Sequence, residues 1–193
     1  MRVLVFLFAA IAAISTSSHA EVMSWRGVGP VDLGMTVAEA ERALNAKLGP
    51  MEPPYTKECY VASRADGKDE ALSYVIVDGR IAVIYLFLDD GRRPDPKIVD
   101  ANGVGVGSTE ADIAGAYGAT ERTFAPYESE ETEEDKAERL KQGVTEPPPA
   151  PNHWVIAKSP DAKRAIIFET RDDKVIYWRT GILPAVMSWE DCI

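Results

Sequence analysis

The chain has 193 residues, 46% of them apolar, and its 31 acidic against 21 basic residues give a formal charge of −10. The apolar share supports a packed core, and the length suits one ordinary domain or two small ones. The acidic balance argues against nucleic acid and anionic membrane surfaces, which are met by basic stripes; its plainest meaning is solubility.

The first twenty residues read as a cleavable export leader. Arg2 supplies the positive start, "VLVFLFAAIAAI" is an apolar run of twelve, and the small residues Ser18 and Ala20 precede a cleavage expected after Ala20. The run is shorter than the roughly 20 residues a membrane helix needs, and no second long apolar run follows, so no membrane span is expected. No cysteine stands after the cleavage point to take a lipid. Without Arg2 the mature chain keeps 20 basic and 31 acidic residues, 20 − 31 = −11, and is expected in the periplasm or outside the cell.

A first unit is expected over residues 21–101. In "VDLGMTVAEAERALNAKLGP", Thr36 and Glu39 form a capping box, in which the hydroxyl accepts from a free backbone N–H and the carboxylate reaches back to the cap. Val37, Ala40, Leu44 and Leu48 fall at helical spacing, and Gly49-Pro50 is read as the stop. Three strand-like runs follow, "CYVASR", "ALSYVIV" and "IAVIYLFL". Asp66-Gly67 and Asp78-Gly79 between them are hairpin signals, because both residue types tolerate positive φ.

A second unit, 102–193, repeats the order. Gly107-Ser108-Thr109 matches Gly34-Met35-Thr36, and Gly118 ends a helix as Gly49 is read to end the first. Strands are expected from Asn152 to Lys158, in "RAIIFET" and in "VIYWRT", with turns at "SPDAK" and Asp172-Asp173-Lys174. The agreement of order, spacing and turn chemistry predicts a tandem duplication. The fold class is therefore α+β: two helix-plus-three-stranded-meander units forming an antiparallel sheet layered with helices. The second unit carries an acidic, proline-rich insertion over 125–151, whose charge spacing supports a partial helix with almost no apolar face. It reads as a solvated arm, or one that docks a basic partner or weakly captures cations with its acids.

Little in the chain carries chemistry. Two cysteines, Cys59 and Cys192, are expected to pair as one structural disulfide in an oxidising compartment. His153 alone remains after the leader is lost, so no multi-histidine metal site is possible. No serine sits in a nucleophile elbow to complete a triad with it. "NGVGVG" lacks the spacing of a phosphate loop, and the pairs Asp89-Asp90 and Asp172-Asp173 suit turns. No catalytic residue, metal or cofactor is assigned. In "VIYWRT", Val175, Tyr177 and Arg179 are expected to point one way and Ile176 and Trp178 the other. A sheet with helices on one face leaves its other face open. Trp154, Tyr177, Trp178, Arg179 and Trp189 are then a candidate surface for a protein or glycan, unless they fill the seam between the halves.

The "VDLGMTVAEAERAL…LG" helix followed by a meander resembles the unit of SmpA/OmlA-type outer-membrane assembly lipoproteins, where a "GMT/GMS" signature caps the helix. Two such units in tandem are similar to the architecture of β-lactamase inhibitor protein, whose curved sheet binds a protein. The resemblance rests on Gly34-Met35-Thr36 and Gly49, and the lipid-bearing cysteine of the lipoproteins is missing here. It implies a non-enzymatic binding or envelope-associated module with a protein partner in the cell envelope. The alternative is a small-molecule binder or enzyme, with a site between the units near His153, Trp154 and Arg179.

Overall fold

The computed structural model describes residues 22–51, 56–68, 71–86, 98–188 and 192. The predicted leader, the Asp89-Asp90 pair and Trp189 lie outside these residues. The fold is α+β, with three α-helices and two antiparallel sheets among the described residues.

The chain opens on three two-residue strands, β1 (Met23–Ser24), β2 (Gly27–Val28) and β3 (Val31–Asp32), which pair as a small antiparallel sheet. Met23, Val28 and Val31 are buried against the helices and main sheet. The Met23 amide donates to the Val99 carbonyl at 3.1 Å, and the Trp25 indole N–H donates to the Ala157 carbonyl at 3.0 Å.

Helix α1 (Val37–Leu44) starts as expected: Thr36 Oγ1 accepts from the Glu39 amide at 3.3 Å, and Glu39 Oε2 accepts from the Thr36 amide at 2.8 Å. Its end differs from the expectation. Asn45 takes the left-handed conformation, φ 49° and ψ 40°, and closes the helix one turn before Gly49. Asn tolerates this conformation because its short polar side chain can bond locally. Leu48, Gly49 and Pro50 therefore form a short strand, β4 (Leu48–Pro50), rather than the last turn and stop of α1. Helix α2 (Glu110–Tyr117) has the same box, here Thr109 with Asp112, and ends at Gly118 as expected.

The main sheet has eight antiparallel strands in the order β4-β5-β6-β7-β11-β10-β9-β8. The strands after β4 are β5 (Cys59–Arg64), β6 (Leu72–Val77), β7 (Arg80–Leu86), β8 (Glu121–Phe124), β9 (His153–Lys158), β10 (Arg164–Arg171) and β11 (Lys174–Ile182). Asp78 and Gly79, φ 49° and 72°, turn β6 into β7; Asp172 and Asp173, φ 49° and 60°, turn β10 into β11. Positive φ at both turn residues matches the right-handed twist of the strands, which explains the aspartate and glycine there. Each run thus has four strands where three were expected: β4 falls where the end of α1 is expected, and β8 in the link between Gly118 and the insertion. β7 pairs with β11 at the centre (Ile84 opposite Thr180, Tyr85 opposite Arg179), so the sheet is continuous.

Both faces of this sheet are covered. On one side α1, α2 and the small sheet bury Leu72, Tyr74, Ile84, Phe168 and Trp178. On the other, Val75, Val83, Tyr85, Trp154, Ile156 and Ile167 pack beneath the segment Leu183–Met187, which includes a 3₁₀ turn (Ala185–Met187). A bulge in β11 opposite Glu169 and Thr170 also corrects the expected alternation, since it sends Val175 to the helix side with Trp178 while Tyr177 faces the other way.

Between β8 and β9 runs the acidic insertion, with a helix α3 (Glu133–Lys141) in which no residue is buried.

Candidate functional site

The predicted aromatic surface is divided between the two faces. Trp178 is fully buried on the helix side. Trp154, Tyr177 and Arg179 lie on the opposite face, where Trp154 is 1% and Arg179 5% exposed and Tyr177 is half-buried. The alternating pattern brings Trp154, Tyr177 and Arg179 together, but the chain's own C-terminal segment occupies the space above them. Trp154 and Arg179 are thus covered rather than presented, Trp178 is covered by the helices and small sheet on the other face, and Trp189 is outside the described residues.

That cover is covalent as well as apolar. Cys59 on β5 and Cys192 form a disulfide with Cα atoms 5.2 Å apart, across 133 residues of sequence. Val186 is fully buried against the sheet. Gly181 is what lets it sit so low: a Cβ there would lie 2.8 Å from Val186 Cβ and 2.9 Å from the Ala82 carbonyl oxygen. The Arg179 guanidinium stacks 4.3 Å from the Trp154 ring centroid and donates from Nη1 to the Ser188 carbonyl at 2.5 Å. Stacking on an indole compensates part of the cost of burying this cation.

Beside Arg179's stack lies a polar cluster that the strand pattern did not reveal. Glu169, on β10, is buried and accepts from Asn152 Nδ2 at 2.6 Å, from Trp154 Nε1 at 3.3 Å and from the Tyr127 hydroxyl. Arg171 Nε donates to Asn152 Oδ1 at 2.6 Å. Burial and the bond to Glu169 push the Tyr127 phenol up to about 12. Three donors satisfy the carboxylate where an unpaired one would be costly. The available signal was Glu169 itself: alternation along "RAIIFET" puts it on the same face as Ala165 and Ile167.

His153 sits at the rim of the helix side. Its ring lies 4.8 Å from that of Phe124, and it pairs across the sheet with Thr170. The Thr170 hydroxyl donates to Glu110 Oε1 at 2.6 Å, and Arg122 Nε to Glu110 Oε2 at 2.8 Å. Burial alone would raise the Glu110 carboxyl, but these two bonds and the nearby charges of Arg122 and His153 hold it below the usual range. The threonine hydroxyl is thus engaged in positioning a carboxylate. Among the described residues no group of three His, Cys, Asp or Glu side chains is arranged to hold a metal ion.

Among the described residues, α3 in the insertion is the one α-helix with no buried residue. Thr132 and Asp135 cap α3, and Arg139 closes it by donating to Glu131 at 2.6 Å and to the carbonyls of Val144 and Glu146 at 3.0 and 2.7 Å. Leu140 and Val144 are about half exposed, at 49% and 48%. Eight acids and three bases lie between Glu128 and Glu146.

Comparison of the chain with protein-family models, with curated proteins and with solved structures finds no match.

Proposed function

We infer that this chain is a non-enzymatic protein-binding module of an extracytoplasmic, oxidising compartment, whose projecting acidic arm docks a basic partner. The observation that carries the reading is α3. A helix of nine residues is marginal by itself and is ordinarily held by docking an apolar face. Yet this one keeps its order through its caps, the Arg139 clasp and side-chain bonds along its own surface, such as Lys141 and Gln142 to Glu138. It holds Leu140 and Val144 out to solvent within a strongly acidic segment. Exposed apolar side chains within a segment of eight acids and three bases suit association with a surface of opposite net charge.

The compartment is supported by the leader-like first twenty residues and by the disulfide. The tandem reading of residues 21–101 and 102–193 is supported by matching detail. Gly34 and Gly107 have φ of 87° and 90°, and their amides donate to the Ile81 and Val175 carbonyls, each at 2.8 Å. Thr36 and Thr109 bridge to Arg80 and Lys174, each just past a tight hairpin. On this reading the likeness to SmpA/OmlA-type proteins and to β-lactamase inhibitor protein lies in the unit architecture.

The test is capture of envelope proteins by the mature chain at low and high salt, beside a variant carrying Glu130→Lys, Glu133→Lys and Glu134→Lys. A partner held by wild type, released by salt and lost in the variant is the expected result. A partner that the variant retains would remove the arm from the reading.

A further inference from the structure

The face opposite the helices has the composition of a protein-docking surface. The Tyr85 and Tyr177 rings lie 6.2 Å apart, and Arg179 stacks on Trp154. Tyrosine, tryptophan and arginine are the residues that dominate protein–protein binding energy. The fit of the present occupant is incomplete at Arg179. Nη1 reaches the Ser188 carbonyl, but Nε is buried and has no hydrogen-bond partner among the described residues. A guanidinium edge is a two-pronged donor shaped for a carboxylate, and here a neutral carbonyl takes one prong.

The occupant is also attached so that it could leave as a piece. Its internal bonds, Met187 amide to Pro184 carbonyl at 2.9 Å and Ser188 amide to Ala185 carbonyl at 3.1 Å, are local and travel with it. Its anchors include the Leu183 amide on the Lys163 carbonyl, the buried Val186, the Arg179–Ser188 bond and the disulfide. Both cysteines are only half-buried, within reach of an attacking thiolate.

We propose that the segment beginning at Leu183 is an intramolecular stand-in for a partner's peptide, and that the Cys59–Cys192 disulfide decides which of the two occupies the face. A dithiol reductant attacks one Sγ, the S–S bond breaks and a mixed disulfide forms. The reductant's second thiol then resolves it, leaving both cysteines as thiols and the reductant as its own disulfide. The freed face takes an apolar peptide with one carboxylate, which pairs with Arg179. This rests on the protein-binding reading above and adds to it a second surface and its gate.

The test uses the full mature chain oxidised, reduced with dithiothreitol, and as the Cys59→Ser, Cys192→Ser double variant. Hydrogen exchange should show the amides of 183–188 losing protection in the latter two, with those of 72–86 and 164–182 retained. The binding probe is a fluorescent peptide copying residues 183–193 with serine for cysteine, which carries the acids of Glu190 and Asp191. It should bind the reduced chain and the double variant but not the oxidised chain. A probe with Gln and Asn at those two acids, or Arg179→Lys in the protein, should bind about tenfold more weakly. Continued protection of 183–188 on reduction, loss of strand protection together with it, or equal binding to both redox forms would each overturn the proposal. Arm-dependent capture is read with a different ligand, so either idea can fail alone.

Discussion

Two appendages leave the main sheet, and they are ordered by opposite means. The C-terminal segment is short, apolar and pinned, with Val186 wholly buried and a disulfide beyond it. The acidic arm is longer, buries no residue of its helix, and that helix stands on a capping box, an arginine clasp and side-chain bonds along its own surface. Packing and the disulfide make the first add to the stability of the fold, so its release costs free energy even where the strands stay paired. The helix of the second is held by local bonds of its own, so its order can change at little cost to the fold.

The sharpest test of that contrast is at the disulfide. Cys192→Ser should lower the unfolding free energy by about 2–4 kcal/mol, read as a shift of the urea midpoint, and an unchanged midpoint would mean that the segment contributes nothing to the fold. Next comes Gly181→Val, where the new side chain meets Val186 and the Ala82 carbonyl. Overpacking of this kind should cost about 1–3 kcal/mol, checked by thermal melting; a neutral result would show that the segment is loosely laid.

A smaller effect separates the helices. Thr109→Ala should cost about 1 kcal/mol in global stability. Thr132→Ala should leave the melting temperature unchanged while removing amide protection across α3, and a shared loss of global stability would show that the arm is coupled to the core. Acid gives the gentlest version. Bonds from the Thr132 hydroxyl and amide hold the Asp135 carboxyl below its ordinary 3.8, and the Arg139 clasp holds Glu131 below its ordinary 4.5. Groups lowered on folding add stability that is complete above the ordinary value and lost as pH falls through the lowered one. On acidification below about pH 4, α3 protection should fall before that of α1, whose Glu39 is similarly lowered but whose Ala40 and Leu44 stay packed. Simultaneous loss would contradict it.

What was legible in the sequence was local chemistry. The capping boxes at Thr36 and Thr109, the Asp78-Gly79 and Asp172-Asp173 turns, the stop at Gly118 and the disulfide all depend on a few adjacent residues or on residue type. Asp66-Gly67, by contrast, lies in a longer connection between Arg64 and Leu72 rather than a two-residue hairpin. β4 and β8 were not legible, because three or four residues of mixed polarity at a sheet edge carry no period. Asn45 could have marked the true end of α1, had its tolerance of positive φ been weighed against the continuing apolar spacing. The burial of Trp154 and Arg179 was foreshadowed as well. "IAVIYL" has no polar alternation, which marks a strand covered on both sides. What covered the second side was hidden because it is a non-local contact made by irregular chain.

The pairing of β7 with β11 has a consequence for synthesis. Tyr85 and its partner Arg179 are 94 positions apart, and the chain is made from its N-terminus. β7 therefore emerges long before the strand that completes its outer edge, and until then an apolar row of unpaired amides and carbonyls faces outward. A chain cut short before residue 174 keeps that edge permanently, and it is the edge along which such fragments would stack on one another.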